Sequence, residues 1–183
     1  MKTLTILSLF ILSGIAANSQ SFRGLDKSPA DIAYMPDNFA HDRKPGEKVI
    51  AKVVYGRPLK KDRVIFGELV PYDKIWRTGA NENTEITFYQ DVIFGGAELP
   101  AGTYSLFTIP GKSTWTVILN SDLNYWGAYS YNEDNDVLRV QVSSSESLES
   151  IEAFTIQFEK KDETSASMKI AWDTSLLEVP IEY

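Results

Sequence analysis

The dominant hydrophobic period along this chain is two. From Lys48, the residues Val49, Ala51, Val53 and Tyr55 fall on one face, with Lys48 and Lys52 opposite. Residues 84–90 set Ile86 and Phe88 against Glu85 and Thr87. Residues 103–109 and 114–119 read as two strands joined at Pro110-Gly111-Lys112, a hairpin. Residues 137–142 form a further strand, followed by a polar break at 143–147. Phe154, Ile156 and Phe158 share a side in the next run, before a turn at 160–164. The cleanest alternation is Ala166, Met168, Ile170 and Trp172 against Ser167, Lys169 and Ala171. Residues 176–181 close the chain, with Pro180 suited to a sheet edge. Between these runs, Gly95-Gly96 and Leu99-Pro100-Ala101-Gly102 mark corners. Eight or nine strand-like segments with few helical periodicities predict an all-β fold. The expected architecture is a single-domain β-sandwich with jelly-roll-like topology, a barrel being the alternative.

The two ends of the pattern differ from this body. Residues 1–19 combine a basic start, Met1-Lys2, an apolar core over 4–15 and the small residues Ala17-Asn18-Ser19, which is a signal peptide's arrangement. The apolar run is short for a membrane span, and no later stretch approaches one. The expected location is therefore the periplasm or the medium. Removing 19 of the 183 residues leaves 164, enough for one domain with a substantial core. Residues 20–47 read as an irregular N-terminal arm, broken by Pro29, Pro36 and Pro45, with 32–35 as a short buried strand. The sandwich is expected over 48–183.

Composition narrows the chemistry. With 18 basic and 25 acidic residues, the acidic balance disfavours nucleic acid, and no basic patch interleaved with aromatics offsets it. The absence of cysteine excludes disulfides and thiolate chemistry, and a single histidine, His41, excludes multi-histidine zinc sites. No glycine-rich phosphate loop opens a helix, and Ser105 and Ser113 lack a nucleophile-elbow setting. Asn132, Asp134 and Asp136 alternate like calcium ligands, yet the glycine and closing glutamate of the calcium loop are missing. No metal and no cofactor is expected.

The stretch 76–110 is where a site is expected. It opens with Trp76-Arg77-Thr78-Gly79-Ala80-Asn81-Glu82, too polar and glycine-marked for a core strand. The natural reading is a loop anchored by Trp76 and presenting Arg77, Asn81 and Glu82, with Arg77 paired to Glu82 or Asp91 in a depression that Trp76 helps to wall. Arginine, asparagine and glutamate together recognise carboxylate, phosphate or hydroxyl patterns while tryptophan supplies apolar contact. Arg57, Trp76, Arg77, Asn81 and Glu82 are thus the candidate ligand-binding residues. Trp126, in the aromatic loop 120–136, is a candidate stacking surface. The expected function is binding of a small polar or carbohydrate-like ligand. One alternative is an envelope structural or interaction protein without a small ligand. The other is a carboxylate-dependent hydrolase with Glu82 and Asp91 as acid and base.

Several strings carry a resemblance. YGRPLKKDRVIFG at 55–67, LVPYDKIWRTGANENTEI, LPAGTYSLFTIP, WTVILN, Trp126-Gly127 and DVLRV together resemble the secreted bacterial family called domain of unknown function 2911. The likeness covers nearly the whole chain after residue 19. It implies an exported, β-rich envelope domain and transfers no catalytic assignment. Its motif positions here are Tyr55, Gly56, Arg57, Pro58, Trp76, Arg77, Gly79, Ala80, Asn81 and Glu82. Asp62 stands before Arg63 where the family pattern has glycine.

Overall fold

The alternation becomes a set of antiparallel ladders. The computed structural model describes residues 22–183, so the expected leader at 1–19 lies outside the described residues. Within them are β1 (Ala30–Met35), a four-residue helix α1 (Phe39–Asp42), β2 (Ala51–Gly56), β3 (Thr84–Phe88), β4 (Val92–Phe94) and β5 (Ala97–Leu99). They are followed by β6 (Gly102–Ile109), β7 (Thr114–Asn120), β8 (Asp136–Lys160) and β9 (Ser165–Glu182). The strand order is β1-β2-β3-β6-β7-β8-β9-β4-β5, and every pairing is antiparallel. The sheet does not close into a barrel. This is an all-β, single-domain sandwich of nine strands among the described residues, consistent with a jelly-roll arrangement.

The fold-over happens within β8. Its first part pairs with β7 from Asp136 to Ser143, and its remainder pairs with β9 from Ser144 onward. The polar run 143–147 is therefore continuous strand rather than a break: Ser144, Ser145 and Glu146 pair with Leu177, Leu176 and Ser175. Polarity there marks a solvated face, since the partner strand supplies the backbone bonds whatever the side chains are. Likewise β9 runs through Asp173 at φ 54°, joining two segments that read separately in sequence. The Gly95-Gly96 corner is a two-residue hairpin turn with φ 61° and 88°, both in the region that glycine tolerates.

The inward faces meet in an aromatic centre. Trp76 stacks on Trp172 at 6.1 Å between ring centroids, and Phe154 meets Trp76 edge-on at 5.2 Å. Phe66 and Trp115 pack edge-on at 4.7 Å within the same cluster. Such pairs add roughly 0.5–1.5 kcal/mol each beyond area burial. Arg57, one residue beyond β2, ties β1 to β8. Its Nε donates to Phe154 O at 3.1 Å, Nη1 to Asp31 at 2.7 Å, and Nη2 to Thr155 Oγ1 at 3.0 Å. No helix among the described residues is long and apolar enough to cross a membrane.

Candidate functional site

The segment after Trp76 is a loop fixed at both ends. Trp76 N–H donates to Thr108 O at 2.8 Å and Thr108 N–H returns the bond at 2.9 Å, so Trp76 enters as a short extra strand beside β6. Thr78 then turns the chain at φ 55°, and its hydroxyl donates to Thr108 Oγ1 at 3.1 Å. Thr84 closes the loop, donating N–H to Arg77 O at 3.2 Å and its hydroxyl to Thr78 O at 2.7 Å. Between these anchors Asn81 sits at φ 61°, a left-handed conformation that asparagine tolerates.

Two remote segments dock on this loop. The Asn81 side-chain amide donates to Asp26 Oδ1 at 3.0 Å and Ser28 O at 3.1 Å, fastening the N-terminal arm. On the other side, Gly127 N–H donates to Asn81 O at 3.0 Å, and Glu82 pairs antiparallel with Trp126. Asn83 reinforces that seam: its Oδ1 accepts Tyr125 N–H at 2.7 Å and its Nδ2 donates to Ser105 Oγ at 2.6 Å.

The three segments enclose a depression of about 520 Å³ on the outer face of β2 and β3. Its polar lining is Asp26, Ser28, Asn81, Glu82, Asn83, Glu85 and Asn124, with Val54 and Tyr55 below. The Asp26 carboxyl is held below the usual carboxylate range, first by the Ser28 N–H and then by the Asn81 amide. Glu85 Oε1 accepts Asn124 N–H at 2.9 Å. Glu82 is exposed and makes no side-chain hydrogen bond or ion pair among the described residues. Trp126 is 61% exposed, and direct cross-strand pairing turns its side chain to the same side as that of Glu82.

The sequence candidates separate. Asn81 and Glu82 line this depression, and Trp126 is joined to its edge through the bridge to Glu82 without itself lining it. Trp76 is 7% exposed and faces the aromatic core, its indole N–H bonded to Gly79 O at 3.2 Å. It does not line this depression, because the bridge to Thr108 directs it inward. Arg57 is the clip between strands. Arg77 forms no ion pair with Glu82 or Asp91 among the described residues. Its Nε is buried without an acceptor, and burial lowers its pKa. Asp91 accepts Ala101 N–H at 2.8 Å and lines a different depression of about 600 Å³, with Ile93, Glu98, Glu182 and Tyr183. Glu82 and Asp91 thus do not flank one cleft.

Sequence reasoning missed Asp26, Ser28, Asn83 and Asn124 as site residues. Asp26 and Ser28 carry a local signal, the Asp-x-Ser spacing that bonds Ser28 N–H to Asp26 at 2.7 Å. Their docking on Asn81 carries none. In the 132–136 stretch, Asn132 caps Asp134 N–H, and Asp136 accepts from Asn120, Tyr131 and Arg139. These oxygens hold the loop together.

The family model described as "Protein of unknown function (DUF2911)" matches residues 37–181, and the chain belongs to this family. No curated protein and no solved structure matches it.

Proposed function

We propose that this DUF2911 protein is exported and binds a small polar, carbohydrate-like ligand between the 81–83 loop and the N-terminal arm. The observation that carries the reading is an amide- and carboxylate-lined depression of about 520 Å³ with an uncovered indole, Trp126, paired to one wall. Side-chain amides and carboxylates offer directed donors and acceptors to ligand hydroxyls, and an indole face packs against the apolar face of a sugar ring. Export is supported by the basic, apolar and small-residue sequence of 1–19. Intact mass of protein recovered from the envelope or the medium should lack those residues; full-length protein retained in the cytoplasm would refute it.

Binding has a built-in reporter. Of the four tryptophans, Trp76, Trp115 and Trp172 are buried, so acrylamide quenching reads Trp126. A panel of oligosaccharides should contain members that protect Trp126 from quenching, with calorimetric affinity lost in Trp126→Ala. If no member of the panel protects Trp126 or gives binding heat, the ligand reading falls and an interaction role gains.

A further inference from the structure

The lining of the depression is unbalanced in two independent ways. The first is charge. Asp26, Glu82 and Glu85 contribute carboxylates, and no lysine, arginine or histidine lines it. The nearest arginine in sequence to this face, Arg57, is turned away to Phe154, Asp31 and Thr155. The second is hydrogen-bonding capacity. Both Asn81 amide hydrogens have acceptors within the protein, and the Asn83 amide donates to Ser105. The lining side-chain donors without an acceptor within the protein are the Ser28 hydroxyl, the Asn124 amide and the second amide hydrogen of the buried Asn83. Acceptors are plentiful: the whole Glu82 carboxylate and the second oxygen of Glu85, whose first takes the Asn124 N–H. A neutral sugar hydroxyl both donates and accepts, and an anion only accepts. An ammonium group only donates, and it carries the complementary charge. The exposed Trp126 face beside Glu82 adds cation–π attraction for the same group.

We infer that the ligand is a sugar-like molecule bearing a free primary amine, its ammonium seated on the Glu82 carboxylate against Trp126. This rests on the reading that the depression is a binding site. It adds a charge requirement to that reading: N-acylated or anionic analogues of the same sugar bind more weakly.

The test is calorimetry on the chain lacking residues 1–19, near pH 6 and at low salt. It uses three probes: a glucosamine trimer, the matching N-acetylglucosamine trimer, and spermidine. The glucosamine trimer should bind about tenfold or more tighter than its acetylated twin, an advantage that shrinks as salt rises. Glu82→Gln should remove about that tenfold from the glucosamine trimer and cost the acetylated trimer clearly less, so that the preference between the two trimers collapses. Glu82 has no internal partner, so this variant folds. Glu149→Gln, remote on β8, should alter neither affinity. Equal affinity for the two trimers would overturn the charge requirement and leave the carbohydrate site standing. Spermidine binding as tightly as the glucosamine trimer would overturn the sugar part. Binding of neither trimer, with Trp126 still fully quenchable, would remove both inferences together.

Discussion

Gly56→Ala should break the scaffold of the site from behind. Gly56 ends β2, and its carbonyl accepts Ala80 N–H at 3.2 Å, which holds the 78–82 loop against the sheet. A Cβ built on Gly56 would lie 2.0 Å from the Ala80 carbonyl oxygen and 2.8 Å from its carbonyl carbon. Carbon and oxygen in close contact settle at roughly 3.3–3.6 Å, so the loop must retreat by more than about 1 Å. Both obstructing atoms are backbone, and no rotamer change relieves them. The retreat loses the Ala80 bond, worth about 0.5–1.5 kcal/mol, and adds overpacking strain of about 1–3 kcal/mol. The expected destabilisation is therefore about 2–4 kcal/mol. Urea unfolding followed by tryptophan fluorescence measures it, read from the midpoint shift at constant slope. Gly96→Ala is the comparison: nothing lies within 4 Å of its Cβ, so only the positive φ of 88° costs, about 1–2 kcal/mol. Gly56→Ala should also weaken ligand binding, since Asn81 and Glu82 move with Ala80; Gly96→Ala should not. A Gly56→Ala loss below about 1 kcal/mol, or one smaller than that of Gly96→Ala, would refute the close-approach argument.

Three further outcomes follow from the packing and the ion pairs. Arg57→Ala should cost about 2 kcal/mol, mostly from the Phe154 and Thr155 bonds because the Asp31 pair is half-exposed, and Arg57→Lys should not restore it; urea titrations of both variants decide this. Trp76→Ala should cost about 3–5 kcal/mol, as expected for a core aromatic, and a loss of ligand affinity at full stability would contradict its placement. Lys161 and then Lys169 hold the Glu159 carboxyl down at about 2, against an ordinary value of 4.5. A depressed carboxylate stabilises the fold above 4.5 and loses that contribution as pH falls through about 2, so Glu159→Gln should flatten the pH dependence of stability in that window, as acid titrations of the melting temperature would show.

Strand content was legible because the side-chain period survives in any strand with one buried face. The β2, β3 and β9 patterns were visible for this reason: Val53, Ile86 and Met168 are all fully buried. Strand continuity was not legible. In β8 the run from Ser143 to Ser147 looks like a loop, and only its partner in β9 reveals a ladder. Nor does the local pattern give strand order, which follows from which distant edges meet. Trp76 shows the same limit on a single residue. Its polar, glycine-marked neighbours argue for a surface loop, and the loop is there. The side chain itself belongs to the core, because the two backbone bonds to Thr108 orient it inward.

The strings that carry the family resemblance are mostly a folding instruction. Gly56 and Gly79 permit the contact between β2 and the loop, a Cβ on Gly79 falling 2.9 Å from Gly56 O. Arg57 fastens β8 to β1, Trp76 fills the core, and Asn81 commits its amide to Asp26 and Ser28. Within the 76–82 loop, the motif carboxylate left without an internal partner is that of Glu82. A site built this way separates two requirements. On the proposed reading, the motif places the depression and Glu82, while the other residues that would meet a ligand are exposed and belong to less regular segments: Trp126, Asn124 and the arm around Asp26. Substitutions at Trp126 leave the ladders intact, so on that reading ligand choice can change there at little cost to the fold, whereas Asn124, at φ 64°, accepts fewer replacements.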